Sequence, residues 1–238
     1  MKNYLLILTI LFLTIGSCSK KPEDAIPKET CRVLTSIDYH QNEHWQYTYD
    51  DKSRVVKLNN LSRDEVRTIS YQADKITITG RYPATYKLDA AGRIVDSGIN
   101  KFEYNSDGYL VKVTSVYGDT RTLTYENGNL VKVERTSTSS SVKDTQTFEY
   151  SSEPAINIAG LPVRAFGSRE NLDPWLLTHF GKPNRNLVSK EINRFGNSSP
   201  FTDTYTYLKD EKGNIIYIRT VGNNYNSVKE IKLTYECK

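Results

Sequence analysis

The sequence predicts an all-β protein, a long antiparallel up-and-down meander of about 14–16 strands curled into a barrel or near-barrel, with one short helical insertion. Three observations carry this prediction: a tandem hairpin repeat, turn signals at short intervals along most of the chain, and two cysteines placed near the two ends of the domain. The composition agrees with a folded domain. Of 238 residues, 37% are hydrophobic and 25% charged, and 17 Tyr with 7 Phe make the chain too aromatic for a disordered one.

The repeat pairs an aromatic-rich strand with a β-branched or Leu strand across a polar turn. Tyr47-Thr48-Tyr49 precedes Ser53-Arg54-Val55-Val56, and Tyr86-Lys87-Leu88 precedes Gly92-Arg93-Ile94-Val95. Phe102-Glu103-Tyr104, Leu123-Thr124-Tyr125 and Tyr205-Thr206-Tyr207 lead in the same way to Gly108-Tyr109-Leu110-Val111, Gly128-Asn129-Leu130-Val131 and Gly213-Asn214-Ile215-Ile216. Each unit reads as a hairpin, and Asn127-Gly128 is a favoured two-residue turn because both residues tolerate positive φ. Short connections make neighbouring strands antiparallel. A meander this long must curl or close, because twist accumulates and free edges invite other chains. With an even number of strands the first and last meet at one rim, which puts Cys31 beside Cys237 and favours a disulfide at the seam over an open sheet or a sandwich. Two free buried thiols are the alternative.

The chain starts with a short positive segment, Met1-Lys2-Asn3, and an apolar run from Leu5 to Ile15. That run is too short to span a bilayer, which takes about 20 residues, and it reads as a signal peptide over 1–17. Ile15-Gly16-Ser17-Cys18 resembles the lipobox of bacterial lipoproteins, with Cys18 as the lipidated first residue; a conventional signal cleaved near Ser17 is the alternative. Residues 18–30 then form a polar tether and 31–238 the β-meander domain. A lipid on Cys18 implies a membrane partner by anchor alone, and a cell-envelope location. Ser19, where some lipoproteins carry an Asp that retains them at the inner membrane, points to the outer membrane.

Between Glu153 and Asn186 the repeat stops, and four of the eight prolines fall there. Asp173-Pro174 reads as a helix cap and first turn, Trp175, Leu176, Leu177 and Phe180 as an apolar side, and Gly181 as a stop, which predicts a helix over about 174–180. A helix of about two turns is not stable alone, so it docks on the sheet or plugs a barrel mouth; a lid over a ligand is the functional alternative. Pairing across Asn127-Gly128 with strict alternation sets Tyr125 opposite Leu130 and Leu123 opposite Lys132, with Thr124 opposite Val131 and Thr122 opposite Val133 on the other face. Neither face is then cleanly apolar. Lys112, Lys132 and Arg219 are poor lipid-facing residues, so a water-soluble, aromatic-rich structure is expected rather than a membrane-spanning barrel.

The tandem hairpins are similar to YD (Rhs-type) repeats, whose Tyr-Asp-x-x-Gly-Arg-Leu pattern is approached by Tyr49-Asp50-Asp51-Lys52-Ser53-Arg54-Val55. From Cys31-Arg32-Val33-Leu34-Thr35, through Leu176-Leu177 and Gly181-Lys182-Pro183-Asn184-Arg185-Asn186-Leu187, to Leu233-Thr234-Tyr235-Glu236-Cys237, the chain resembles a Bacteroidota lipoprotein family with a porin-like fold. The resemblance implies a porin-like β-barrel on an envelope lipoprotein. It implies no chemistry. Ser53 in a Gly position departs from the YD pattern, so the large shells built from such repeats are not implied.

Catalytic patterns are missing from the sequence. His40 and His44 are four residues apart but flank a strand connection with no further ligand nearby, and no metal or other cofactor is expected. His179 has no nucleophile at recognisable spacing, and neither a Gly-x-Ser-x-Gly elbow nor a phosphate-binding loop occurs. Carboxylate pairs such as Asp50-Asp51 and Asp64-Glu65 read as solvated turns. Net charge is only +4, with scattered Lys and Arg, which disfavours a nucleic-acid partner. Most Tyr are explained by cross-strand packing. Trp45 and Trp175 fall outside the repeat and are the candidates for a ligand-facing surface. The expected function is a non-enzymatic envelope lipoprotein that binds a glycan or another envelope protein; a structural or assembly component is the second reading, and a hydrolase without a recognisable motif the third.

Overall fold

A computed structural model describes residues 31–138, 140–155, 174–223 and 227–237. The signal, the tether with Cys18, and Asp173 of the expected helix cap lie outside the described residues. Sixteen strands occur among those described: β1 (Cys31–Asp38), β2 (Glu43–Tyr49), β3 (Val55–Asn60), β4 (Glu65–Tyr71), β5 (Lys75–Thr79) and β6 (Ala84–Leu88). There follow β7 (Ile94–Asp96), β8 (Asn100–Tyr104), β9 (Leu110–Ser115), β10 (Thr120–Glu126) and β11 (Asn129–Ser137). The last five are β12 (Ser140–Pro154), β13 (Asn186–Arg194), β14 (Phe201–Lys209), β15 (Ile215–Gly222) and β16 (Val228–Cys237).

Each strand pairs antiparallel with its sequence neighbours and β1 pairs with β16, so the meander closes into a barrel and no sheet edge remains. At the seam Cys31 and Cys237 form a disulfide. Beside it Arg32 holds Glu236 at 2.8 Å, and the Thr35 and Thr234 hydroxyls lie 2.7 Å apart. In the chain-entropy view a crosslink closing a loop this long contributes about 5 kcal/mol.

The repeat contains a feature that strict alternation does not accommodate: two apolar residues in succession near the start of the odd strands. Val55-Val56, Ile94-Val95, Leu110-Val111, Leu130-Val131 and Ile215-Ile216 would each send one residue to the wrong face. The ladder absorbs the misfit in a β-bulge. Tyr49 pairs with Val55 but Thr48 with Lys57; Leu88 pairs with Ile94 but Lys87 with Asp96; Tyr104 pairs with Leu110 but Glu103 with Lys112. The expected pairing of Leu123 with Lys132 and Thr122 with Val133 is therefore wrong. A bulge after the Tyr125–Leu130 pair sets Leu123 opposite Val133 and Thr124 opposite Lys132. With that correction the faces separate cleanly. Leu123 and Val133 are buried inside, whereas Thr124 and Glu103 are exposed outside, where Lys112 pairs with Glu103 at 2.9 Å. A hydrocarbon-facing wall would need the reverse pattern.

A bulge interrupts the ladder, and the carbonyl beside it needs another donor. Tyrosines of the next even strand supply one. Tyr49, Tyr71 and Tyr104 donate their hydroxyls to the carbonyls of Val33, Val55 and Ile94 at 2.6, 2.8 and 2.6 Å. Tyr150, Tyr207 and Tyr235 do the same to Leu130, Val188 and Ile215 at 2.6, 2.7 and 2.8 Å. All six acceptors sit at a register shift. The β4–β5 ladder runs without a shift, and the next even strand ends on Leu88 rather than Tyr. Burial raises the phenol pKa values, to about 12 at Tyr71 and Tyr235.

One end of the barrel is plugged by the insertion. Its described part is a short 3-10 helix, Pro174–His179, rather than an α-helix, and it buries Trp175, Leu176 and Phe180. Trp175 meets Tyr71 edge-on at 6.5 Å, and Phe180 meets Phe102 at 5.0 Å. The returning chain is bonded to three hairpin turns: His179 Nδ1 lies 3.1 Å from the Gly92 carbonyl, Lys182 N donates to Gly108 and Arg185 N to Gly128. Gly181 is required there, since its φ is +82° and a Cβ would approach the Gly108 carbonyl oxygen to 2.3 Å. The plug expected from the sequence is what these contacts make.

Two outcomes follow from this packing. Tyr71→Phe and Tyr150→Phe each leave a buried carbonyl without its donor and should lower the free energy of urea unfolding by about 1–3 kcal/mol, with little change in m-value. Burial lowers the His179 pKa, with the Gly92 carbonyl acting in the opposite sense and Arg54 adding to the lowering. The folded state thus favours neutral His179, a contribution present above the unfolded pKa of about 6.5 and lost as pH falls below it. The urea midpoint of the native chain should drop between pH 7 and pH 5, and His179→Gln should flatten that slope.

Candidate functional site

The two ends of the barrel differ in what their polar groups do. At the plugged end three turns share one internally bonded design. The Asp50, Asp89 and Asp210 carboxylates each accept the backbone N–H groups two and four residues on, at 2.8–3.0 Å. Their second oxygens hold Arg54, Arg93 and Asn214 at 2.6–2.9 Å. The two guanidinium groups in turn lie over Tyr71 and Tyr104, 4.3 and 4.4 Å from the ring centroids. The Asn214 amide is the main cause holding the Asp210 carboxyl below its ordinary pKa.

The opposite end carries a crown. Among the described residues, six of its hairpin connections expose a large apolar side chain: Tyr39, Leu61, Tyr82, Ile99, Val116 with Tyr117, and Phe195. Tyr117 is 76% exposed and Tyr82 58%. Scattered exposed hydrophobics are ordinary, but collection at one end of the molecule is not.

Behind the crown the inward-facing residues change from aliphatic to polar. On β2–β4 they are Glu43, Trp45, Asn60, Glu65 and Arg67; on β12–β14 they are Gln146, Glu191, Asn193, Asp203 and Tyr205. Trp45 Nε1 donates to Glu43 Oε2 at 3.0 Å, and Arg67 Nε lies 2.7 Å from Glu65 Oε1. The Arg67 guanidinium lies 4.7 Å from the Trp45 ring centroid and 5.4 Å from that of Tyr82. Arg63 reaches Glu43 at 3.1 Å, and Arg81 reaches Glu65 at 3.6 Å. On the other arc Gln146 Nε2 donates to Asn193 Oδ1 at 2.7 Å, and the Tyr205 hydroxyl donates to Glu191 Oε2 at 2.8 Å. The Arg135 guanidinium beside Asp119, at 2.7 Å, holds that carboxyl below its usual range. Arg63, Arg67, Arg81 and Arg135 are thus each paired with a carboxylate, beside the buried amides of Asn60 and Asn193.

The sequence candidates fall at different places. Trp45 belongs to the polar end of the interior below the crown, half-buried under Arg67. Trp175 lies in the plug at the other end, 3% exposed, so the two indoles share no surface. Cys31 and Cys237 form the seam disulfide, and Cys18 lies outside the described residues. His40 sits in a turn and His44 on β2, and no cluster of metal-ligating side chains occurs among the described residues. Sequence reading missed the crown and the buried amides. A signal for the crown was present: apolar residues inside turn segments, as in Gly98-Ile99 and Val116-Tyr117-Gly118.

No curated protein matches the chain. Its fold recurs in solved structures, two of them porin-like proteins. A porin-like protein from Bacteroides uniformis ATCC 8492 superposes with a TM-score of 0.60 at 20% identity, covering 82% of this chain and 90% of its own. A porin-like protein from Bacteroides vulgatus ATCC 8482 gives 0.60 at 14% identity, covering 86% and 98%. Residues 86–217 match the profile of one family, and that span runs from the aromatic strand β6 through the plug to β15. More than half the chain lies within it, so the chain belongs to the family described as a domain of unknown function (DUF4595) with porin-like fold.

Proposed function

We propose that this chain is a non-enzymatic binding module of the cell envelope, anchored by a lipid on Cys18, that engages a glycan at the crown end of its barrel. The observation that carries the reading is the asymmetry between the two ends. One end is plugged, with Asp50, Asp89 and Asp210 bonded within their own turns; the other presents Tyr39, Tyr82, Tyr117 and Phe195 above inward-facing amides, carboxylates and guanidinium groups. Rings that offer an apolar face beside fixed hydrogen-bonding forks suit the alternating C–H and O–H surfaces of a sugar. A proteinaceous partner is the competing occupant, and the test separates the two.

The test compares the native chain with Tyr82→Ala and Tyr117→Ala on immobilised polysaccharides and on envelope proteins. Both substitutions are at exposed positions and should leave the melting temperature within about 2 °C of the native value. Retention on at least one polysaccharide, weakened about tenfold or more by each change, supports the reading. Equal retention by all three proteins, capture of an envelope protein alone, or cleavage of the polysaccharide during long incubation overturns it. Release of the Cys18→Ala chain from the membrane fraction checks the anchor, and retention there refutes it.

A further inference from the structure

We infer that an open cleft beside strand β7 receives the anionic substituent of an acidic saccharide, with Lys87 and Lys101 as its cationic contacts. This rests on the glycan reading above and names the class of glycan and the place where its charge is met. The cleft originates in strand length. β7 has three residues; it pairs with β6 at Lys87–Asp96 and Leu88–Ile94, and with β8 at Asp96–Lys101. β6 extends further toward the crown, where Ala84, Thr85 and Tyr86 pair with β5 but with nothing on the β7 side. The chain turns back there instead, and Ser97 N donates to the Asn100 carbonyl at 2.9 Å. Gly98, in that turn, has no side chain to fill the gap, and a Cβ on it would meet nothing within 4 Å. A cleft of about 440 Å³ results, lined by Thr85 and Lys87 of β6, by Asp96 and Gly98, and by Asn100 and Lys101 of β8.

Charge argues for an anion. Lys75, Lys87, Asp96 and Lys101 stand in direct register across β5–β8, one cross-strand row spanning roughly 15 Å. Three ammonium groups thus share one carboxylate. Asp96 accepts the Gly98 N–H at 2.7 Å and Lys87 Nζ at 3.3 Å, and Lys75 and Lys101 form no ion pair. Elsewhere on the outer wall Lys112 has Glu103 and Lys190 has Glu149. Lysines directly opposite one another, as Lys75 and Lys87 are, destabilise a sheet, and an oxyanion in the cleft relieves that repulsion. Neutral hydrogen-bonding groups are also present. Asn100 is 4% exposed and tied to Ser97 through its backbone, while its side-chain amide makes no hydrogen bond within the protein; exposed Thr85 adds a hydroxyl. Ring faces flank these groups. Tyr82 is exposed on the turn before β6, and Val116, which also lines the cleft, precedes exposed Tyr117. Cations, an amide and aromatic rings together match a sugar that carries a carboxylate or sulfate.

The experiment measures binding of the native chain to two acidic polymers and their neutral counterparts: polygalacturonate against its full methyl ester, and dextran sulfate against dextran. At least one acidic polymer should be retained about tenfold more strongly than its counterpart, with affinity falling as salt rises from about 0.05 to 0.5 M. The pair that shows the preference identifies the substituent. Lys87→Gln and Lys101→Gln should each weaken that binding about fivefold and the double variant about tenfold or more, with melting temperatures within about 2 °C of the native value. Lys57→Gln removes the same charge from the outer wall at β3 and should bind within about twofold of the native chain. Equal weakening by Lys57→Gln would make binding a matter of net charge and overturn the inference. Lysine variants that bind like the native chain would overturn it too, and their sedimentation as larger species would assign the pair to guarding the uncovered part of β6. Equal retention on acidic and neutral polymers, lost in Tyr82→Ala and Tyr117→Ala, would overturn it while leaving the glycan-binding module standing. Retention on none of the four would remove both.

Discussion

The barrel depends on a hydrogen bond between a tyrosine hydroxyl and the backbone carbonyl beside a bulge. Seven of the eight even-to-odd strand pairings, including the seam of β16 with β1, carry a register shift near the plugged end, and six of the affected carbonyls receive a tyrosine from the next even strand. The bulge turns two consecutive apolar residues into one inward and one extra, and it raises local twist, which a closing sheet needs. The hydroxyl compensates the interrupted ladder. Leu88 supports the link between the two devices, because it replaces Tyr beside the one pairing, β4–β5, that runs without a shift.

Polarity then divides the molecule. The outer wall is charged and the interior apolar, the opposite of a barrel that crosses a membrane, so the porin-like description applies to closure and strand path rather than to the solvent each face meets. Along the barrel axis the interior changes as well. Tyrosines, aliphatics and the docked Trp175, Leu176 and Phe180 fill one end, whereas Trp45, Asn60, Glu65, Arg67, Glu191 and Asn193 line the other. Ion pairs such as Arg67–Glu65 with Arg81 keep that second region electrically balanced without filling it with hydrocarbon. Such a network specifies position more than it stabilises, since pairing charges out of water returns little net free energy.

The insertion shows how a repeat can be interrupted without losing closure. It leaves the barrel after β12 and returns at β13, and those two strands still pair from Thr145 with Arg194 to Pro154 with Asn186. Its returning segment replaces the turn that the repeat would have placed there and bonds to the turns of three neighbouring hairpins at Gly92, Gly108 and Gly128. The strands of those three hairpins are thereby tied to the plug at the end opposite the crown.

The sequence by itself determined the all-β class, the antiparallel order, a count of about 14–16 strands and the meeting of Cys31 with Cys237, because period-two patterning, short polar turns and the accumulation of twist are local properties that compound along the chain. It also marked the insertion, since prolines and a capped apolar segment interrupt the period. Tertiary structure alone decided the register. Whether Val131 or Lys132 stands opposite Thr124 depends on a bulge, and a one-residue shift exchanges every side chain between core and solvent. It also decided the fates of the two tryptophans, which look alike as residues outside the repeat, and brought Asn60 and Asn193, 133 positions apart, to the same end of one barrel. Those placements depend on which rim each hairpin end reaches after sixteen strands have closed, a property of the ring that no window of sequence contains.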